Sequence, residues 1–503
     1  MPILLVLAVA AACSTVPWPD PFDLGPRRSV LLAAIITLIP ILLSAMLSIW
    51  VVRSVRRDPD SRPAVQTRYG KLRHRLSLLN LGLAALVVGG GWGAAVWSLF
   101  RIDLGTSGVR LAPGAELLVP APYFLTLVAG WVASYFAERA LHRVRTNADE
   151  PFWTLPAYLL FYARQFTLLI LIPILLFVAQ QSLTRAVPSV VAAEWFQVLS
   201  VVGGLSVFVL LPRFIKPLLG LKTLPPGPVR DRLEATARRL KFRTADLLVW
   251  PTNGAVANAM IVGVVPWARY VIVTDRLLTG LTPDELDAVF GHEAGHARHH
   301  HIPYYAIFFL LSASAATAGF ELLERELAGL GWSLPQDAVG WMALPMLAFM
   351  GVYIFLVFGL LSRRCERQAD VDGCRAGSCF NPRCLGHFEE TLLAPIGTAL
   401  CRTGVTSLIR ALDRVAQLNG LDGLTPRTPP SFGKRFWSLV KAWQHGPVPD
   451  RIEFLLRLSD DPTLGVRHDR GVARLRIGLM LTLMAFLVAF GSLVGWSQLW
   501  AML

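Results

Sequence analysis

The chain has 503 residues, of which 54% are apolar and only 16% are charged, and its formal net charge is +14. Because soluble domains carry about 25% charged residues, this deficit of charge indicates a membrane protein. The same composition excludes a disordered chain, a collagen or coiled-coil rod and a disulfide-dense secreted module.

Eight stretches are apolar and long enough to form membrane-spanning helices, since a helix needs about 20 mostly apolar residues to cross the hydrocarbon core. They lie near 29–52, 76–100, 118–137, 157–180, 196–218, 304–322, 339–362 and 474–498. The sequence therefore predicts an N-terminal segment or partial anchor at 1–28, five spans within 29–218, a two-span hairpin at 304–362 and a C-terminal span within 474–503.

Basic residues concentrate in alternate connecting segments. The segment 53–75 carries eight Lys and Arg residues, whereas 102–117 carries only Arg110. The positive-inside rule then places the polar regions 219–303 and 363–473 on the cytoplasmic side. The positive charge thus orients the spans in a lipid bilayer, and since no RNA-binding motif appears, no nucleic-acid partner is expected.

Cysteine usage agrees with a cytoplasmic placement of the second polar region. Five of the six cysteines fall within 365–401. Reduced thiols are expected in such a compartment, and the alternatives are an occasional disulfide or a second metal site.

The first polar region is predicted to be mixed α and β. An amphipathic helix is expected over 228–242 and strands over 246–250, 256–264 and 269–274. The next helix begins at Thr282-Pro283-Asp284-Glu285, a capping box with proline at the first helical position, and is expected to run to about His301.

That helix carries His292-Glu293-Ala294-Gly295-His296. Residues four apart share a helical face, so both imidazoles can bind one zinc ion while Glu293 acts as general base toward a zinc-activated water. The alternative is a basic, histidine-rich helix end, because three more histidines follow at 299–301.

A second pair with helical spacing, Glu366 and Asp370, follows the predicted hairpin. One carboxylate can bind the metal while the other accepts the free N–H of a ligand histidine. The alternative is a solvated helical face paired with the neighbouring arginines.

Four ordered motifs within about 220–460 make the chain similar to a known family. They are Asn258-Ala259 followed by Gly263, the His292–His296 motif, Ser362-Arg363-x-x-Glu366-x-x-Ala369-Asp370, and His445-Gly446-Pro447-Val448-Pro449-Asp450-Arg451. On these motifs the chain resembles the membrane gluzincin family that contains the type I CAAX prenyl proteases and the HtpX-type proteases. The fourth motif departs from the family pattern, because Gly446 stands where proline is usual and Asp450 replaces glutamate.

The resemblance implies a role for each matched residue. One zinc ion per chain would be bound by His292, His296 and Glu366, with Glu293 as general base and Asp370 orienting a ligand histidine. It further implies that His445 and Arg451 lie near the substrate or the developing oxyanion. Asn258 and Ala259 would lie on an edge strand that binds a peptide substrate, although an ordinary internal strand is the alternative reading.

The sequence therefore predicts a mainly α polytopic membrane protein with a cytoplasmic zincin-like α+β catalytic domain that contains a small sheet. Its expected function is that of a zinc metalloendopeptidase acting on membrane proteins or lipid-anchored peptides. An intramembrane protease is disfavoured, because the metal motif sits on a charged, capped helix. A scaffold or quality-control binding protein that retains a zinc site is the alternative, and the oligomeric state is left open.

Overall fold

The computed structural model describes residues 20, 22–103, 109–145, 152–191, 193–331, 349–379, 386, 400–419, 442–461 and 463–496. The chain divides into two compact units, Met1–Val202 with Leu334–Ala348 and Gly203–Ser333 with Phe349–Leu503.

The first unit is mainly helical. Its elements are α1 (Gly25–Arg57), α2 (Arg62–Val87), α3 (Gly93–Phe100), the hairpin β1 (Arg101–Asp103) and β2 (Val109–Leu111), α4 (Ala121–Arg145), α5 (Leu155–Phe166), α6 (Ile172–Ala186) and α7 (Pro188–Val191). The π turns Val88–Trp92 and Thr167–Leu171 join α2 to α3 and α5 to α6. Buried side chains of α1, α2 and α4, among them Val51, Tyr69 and Leu141, pack into one cluster.

The second unit combines helices with a sheet. The helix α8 (Glu194–Leu219) leads into it, and its elements are β3 (Lys222–Thr223), α9 (Pro228–Arg239), β4 (Asp246–Trp250), β5 (Ala259–Val262), β6 (Tyr270–Thr274), α10 (Asp275–Gly280), α11 (Pro283–Arg298), α12 (His301–Gly329), α13 (Gly359–Ala376), α14 (Arg402–Leu418), α15 (Val448–Asp460) and α16 (Thr463–Val494). A helical segment from residue 349 runs into α13 through the π turn Ile354–Phe358.

The sheet has four strands in the order β3-β4-β6-β5. Strands β4 and β6 are parallel, while β3 and β5 flank them in antiparallel pairing. The three predicted strands are therefore present, and β3, only two residues long, has no counterpart in the prediction because so short a run carries no periodicity.

The metal-motif helix α11 packs against this sheet. Its apolar face, with Phe290 and Ala294, shares a buried cluster with Ala259 and Ile261 of β5. The predicted capping box is present, since the side chains of Thr282 and Glu285 each accept a hydrogen bond from the other residue's backbone N–H. The helix ends at Arg298 rather than near His301, because His300 adopts a left-handed conformation and a new helix begins after it.

Four helical segments in the described part of the chain are long and apolar enough to cross a membrane. They are Gly25–Arg57, Pro59–Phe100, His301–Gly329 and Thr463–Val494, and a fifth results if the bent pair Val198–Gly204 and Val209–Leu219 forms one span. Five of the eight predicted spans thus fall on these segments. The spans predicted at 118–137 and 157–180 fall on α4 and on α5–α6, which are not among them, and part of 339–362 lies outside the described residues. The total of eight stays a prediction.

Candidate metal centre

Helix α11 places the two motif histidines on one buried face. The Nε2 atoms of His292 and His296 lie 3.3 Å apart, so both imidazoles point to the same region of space. This is the geometry that the four-residue spacing predicts.

Helix α13 brings a carboxylate to the same point. Glu366 Oε2 lies 3.5 Å from His292 Nε2, and its Oε1 lies 3.6 Å from His296 Nε2. Ligand atoms of these three residues all lie within 4.8 Å of one another. Two imidazoles and one carboxylate are three protein ligands, the number with which a catalytic zinc ion keeps a fourth position for water.

The close approach of α11 and α13 depends on glycine. A Cβ atom on Gly291 would lie 2.1 Å from Ala376 Cβ, and one on Gly373 would lie 2.8 Å from the carbonyl oxygen of Ala288. Side chains at these positions would hold the helices apart, so the glycines allow Glu366 to reach the histidines.

Asp370 lies one helical turn beyond Glu366 and contacts the other side of the first histidine. Its Oδ1 lies 2.9 Å from His292 Nδ1, and the carboxylate is fully buried. Because a ligand histidine presents one nitrogen to the metal and donates its N–H through the other, this contact orients Nε2 toward the cluster.

Arg451 of α15 braces both carboxylates. Its Nε donates to Asp370 Oδ2 at 2.9 Å, its Nη2 donates to Asp370 Oδ1, and its Nη1 lies 3.4 Å from Glu366 Oε2. The guanidinium is buried behind the ligands, and its expected contact with the substrate stays a prediction.

His445 contacts the cluster through Glu366. Its Nδ1 donates to Glu366 Oε1 at 2.9 Å, while 72% of its side chain is exposed. The next residue, Gly446, has a φ of 74°, which proline, fixed near −65°, cannot adopt. The backbone here therefore differs from the one that the usual proline would impose.

The charges of the cluster follow from burial and from its carboxylates. Burial raises the pKa of Glu293 to about 7, and Glu366 adds to the increase. Burial opposes protonation of His292, yet hydrogen bonds with Asp370 and Glu366 raise its pKa to about 10. For His296 burial prevails and lowers the pKa to about 4.

Glu366 is ionised, and one of its oxygens has no close hydrogen-bond partner among the described residues. Although burial works against the charge, hydrogen bonds from His292 and His445 hold the pKa of Glu366 well below its usual range. Its buried Oε2 has only long contacts among the described residues, at 3.5 Å from His292 Nε2 and 3.4 Å from Arg451 Nη1. A buried carboxylate oxygen is costly without close partners, and a metal cation between Glu366 and the two imidazoles would supply one.

Asn258 and Ala259 lie at the start of the edge strand β5. The backbone of Asn258 faces β6, since its carbonyl accepts the N–H of Thr274 at 3.0 Å. Antiparallel alternation then turns the backbone groups of Ala259 and Ile261 toward the outer edge, where no described strand pairs with them. The structure therefore places the predicted pair on an edge strand rather than an internal one.

Three further residues extend the site and were not predicted: His301, Gln368 and Asp469. The sequence predicts His301 only as the end of the metal-motif helix, or alternatively as part of a basic helix end, but it is fully buried and its Nδ1 lies 2.9 Å from His296 Nδ1. A spacing of five residues does not share a helical face. Only the break at His300 turns His301 back toward His296, so no sequence signal could have found it.

Comparison with known proteins identifies the family of this region. Residues 226–386 match the sequence profile of peptidase family M48. The chain is 29% identical over 182 residues to a protein named Protease HtpX homolog from Archaeoglobus fulgidus, covering 34% of this chain and 52% of that protein. It is 30% identical over 197 residues to CAAX prenyl protease 1 homolog from Arabidopsis thaliana, covering 36% of this chain and 45% of that protein.

The chain thus spans about half the length of the curated relatives it matches. Among solved structures, the crystal structure of S. mikatae Ste24p aligns with 84% of this chain and 98% of its own, at 16% identity and a TM-score of 0.49. Residues 226–386 contain the first three of the four motifs, and the fourth, at 445–451, lies beyond the matched range. The family resemblance is therefore confirmed over residues 226–386, the part of the chain that matches peptidase family M48.

Proposed function

We propose that this protein is an integral-membrane zinc metalloendopeptidase that hydrolyses peptide bonds of membrane-associated or lipid-anchored substrates. The observation that carries the proposal is the convergence of His292, His296 and Glu366. Glu366 lies 70 residues beyond His296 in the chain, yet its carboxylate faces both Nε2 atoms. Family M48 is in general zinc-dependent, which supports zinc as the bound ion.

The residues around the cluster would have different chemical roles. When bound, zinc would supply a Lewis acid that polarises a carbonyl and acidifies a water. Glu293, with a pKa of about 7, suits a general base that takes a proton from the attacking water and returns it to the leaving amine. Asp370 and Arg451 hold His292 and Glu366 in place, and exposed His445 lies where a substrate would enter.

The open edge of β5 supports a peptide as the substrate. A peptide lying along this edge could pair with the outward N–H and C=O groups of Ala259 and Ile261, and the exposed Asn258 side chain would contact it. Since such pairing involves only main-chain groups, it would bind many sequences and leave selectivity to side-chain pockets.

The setting of the site supports membrane-associated substrates. Apolar helices His301–Gly329 and Thr463–Val494 belong to the same compact unit as the cluster. The basic segment 53–75 favours a cytoplasmic site through the positive-inside rule. The name of the CAAX prenyl protease relative suggests prenylated proteins as substrates. The name of the HtpX relative states that it is a protease but specifies no substrate.

One experiment tests the proposal directly. Purified full-length protein and its Glu293→Gln variant are analysed for bound metal and incubated with membrane-protein and prenylated peptides. We expect one tightly held zinc per chain in both, and cleavage by the unmodified chain alone. Glu453→Gln, which changes an exposed glutamate on α15, is the matched control and should cleave normally.

Each outcome has a definite reading. Absence of zinc, or equal cleavage by both proteins, would refute the assignment. Zinc without cleavage of any substrate would favour the alternative, a binding scaffold that retains a metal site. Cleavage only of prenylated or only of unmodified peptides would identify the substrate class.

A further inference from the structure

A chain of hydrogen bonds runs from the second zinc-ligand histidine to the C-terminal helix. His296 Nδ1 lies 2.9 Å from His301 Nδ1, and His301 Nε2 lies 3.0 Å from Gln368 Oε1. Gln368 Nε2 in turn donates to Asp469 Oδ1 at 3.0 Å. The four residues come from α11, α12, α13 and α16, and both His301 and Gln368 are buried.

The hydrogens in this chain can be assigned from its acidic end. The carboxylate of Asp469 only accepts, so the amide nitrogen of Gln368 faces it and the amide oxygen faces His301. His301 must therefore donate from Nε2, which leaves its Nδ1 as an acceptor. His296 then donates from Nδ1, and its Nε2 carries a free lone pair.

That lone pair is the one the metal centre requires. His296 Nε2 is the atom that faces Glu366 and His292 Nε2. The other tautomer would place a hydrogen on Nε2, where it would block an ion. The direction of every donor and acceptor in the chain thus agrees with metal binding at Nε2.

We propose that His301, Gln368 and Asp469 are positioning residues of the metal centre, which fix His296 in its metal-binding tautomer and tie the C-terminal helix to the site. This inference rests on the proposed function, because it assumes that an ion binds at Nε2. It gives α16 a role that its apolar composition alone does not suggest.

Further contacts hold α16 in the position from which Asp469 reaches Gln368. Arg476 Nη1 donates to the carbonyl oxygen of His299 at 2.9 Å, and its guanidinium lies 4.4 Å from the centre of the Tyr304 ring. The Tyr304 hydroxyl donates to the Arg476 carbonyl oxygen at 2.9 Å. Since Asp469 lies two turns earlier on the same helix, these contacts keep its carboxylate against Gln368.

The two ligand histidines are therefore supported in different ways. His292 donates directly to the carboxylate of Asp370, which also pairs with Arg451. His296 reaches its carboxylate, Asp469, only through two neutral side chains. His301, Gln368 and Asp469 thus form a relay of hydrogen bonds. Its two neutral members orient the His296 imidazole and place no additional charge beside the ligands.

The proposal is tested by the zinc affinity of full-length protein in detergent, measured by competition with a chromophoric chelator. Gln368→Met keeps the volume but removes the acceptor for His301, and we expect zinc to bind about 10-fold to 100-fold more weakly. Gln368→Glu keeps an acceptor and should bind within about threefold of the unmodified chain. Asp469→Lys, at the half-buried end, favours the reversed amide and should also weaken binding.

The matched control is His300→Asn, which changes an exposed neighbour while keeping a residue that tolerates its left-handed backbone. The thermal midpoint of each metal-free variant reports folding, and the proposal requires weaker zinc binding in a variant that melts like the unmodified chain. If Gln368→Met does not fold, Asp469→Lys carries the test.

Two results would refute the proposal that the relay positions His296. One is zinc affinity within about twofold of the unmodified chain in both Gln368→Met and Asp469→Lys. The other is a Gln368→Glu variant as weak as Gln368→Met, because the lost acceptor would then not be the cause. If the unmodified chain and Glu293→Gln both fail to bind zinc, the proposed function fails as well, so the two failures are distinguishable.

Discussion

Helices α11 and α13 meet at Gly291, and one added methyl group tests whether this contact holds the metal ligands together. A Cβ atom on Gly291 would lie 2.1 Å from Ala376 Cβ and 2.9 Å from the carbonyl oxygen of Asp372. Neither atom can rotate away, since each is bonded directly to the backbone of α13. We therefore expect Gly291→Ala to push the two helices apart.

The size of the effect follows from this clash. Two carbon atoms attract each other best at about 3.5–4.0 Å. The added Cβ and Ala376 Cβ must therefore move apart by roughly 1.5 Å. Overpacking costs about 1–3 kcal/mol, and the better helix propensity of alanine offsets at most ~1 kcal/mol. Because a contact this short belongs at the upper end of that range, we expect a net loss of about 2 kcal/mol in the free energy of unfolding. Because Glu366 moves with α13, zinc affinity should fall roughly tenfold.

The assay is the thermal midpoint and the zinc affinity of the detergent-solubilised protein. Adding Ala376→Gly to Gly291→Ala removes the nearest atom and should recover part of both losses. Gly471→Ala is the matched control, because its Cβ would meet only Arg364 Nη1, at 3.7 Å. A Gly291→Ala protein that melts no earlier than the unmodified chain and binds zinc equally well would refute the reasoning.

Three further predictions concern the strand edge, the buried ion pair and the ligand proton. Ala259→Pro removes an N–H that faces the open edge of β5, and should raise the KM for peptides by about 2-fold to 10-fold at unchanged zinc content; an unchanged KM would count against substrate pairing there. Asp370→Ala leaves Arg451 buried without its main partner, and should lower the free energy of unfolding by about 3–5 kcal/mol in denaturant titrations, whereas a loss under about 1 kcal/mol would contradict the bracing role. In the metal-free protein the pKa of His292 is about 10, so at pH 8 zinc must displace its proton. Calorimetry in buffers of different ionisation enthalpy should show release of about one proton per zinc and tighter binding as pH rises; zero release would show that His292 is already neutral.

Local patterns in the sequence predicted the three longer strands of the sheet, the start of the metal-motif helix and the first two candidate ligands. The four-residue spacing of His292 and His296 fixes a shared helical face, and Thr282 with Glu285 marks where the helix begins. Apolar length likewise predicted the helices that can cross a membrane. Each of these signals depends on neighbours within a few residues, which is why one chain suffices to read them.

The assignment of the two carboxylates needed more than local pattern. From spacing alone, either Glu366 or Asp370 could have been the ligand, and the family resemblance pointed to Glu366. The structure places Glu366 on the Nε2 side of His292 and Asp370 on its Nδ1 side. Both lie on one face of α13, so their different surroundings come from how α13 packs against α11.

What only the tertiary structure decided is how distant segments meet. The closeness of α11 and α13 depends on glycines that contact residues about 80 positions away in the sequence. Arg451 reaches these two helices from a third helix, α15. The relay through His301 requires a left-handed residue at position 300 and a carboxylate from the C-terminal helix. Helical periodicity extends over a few turns, whereas these contacts depend on packing between separate elements. For this reason the sequence determined the helices and their motif, while the tertiary structure decided which atoms surround the metal centre.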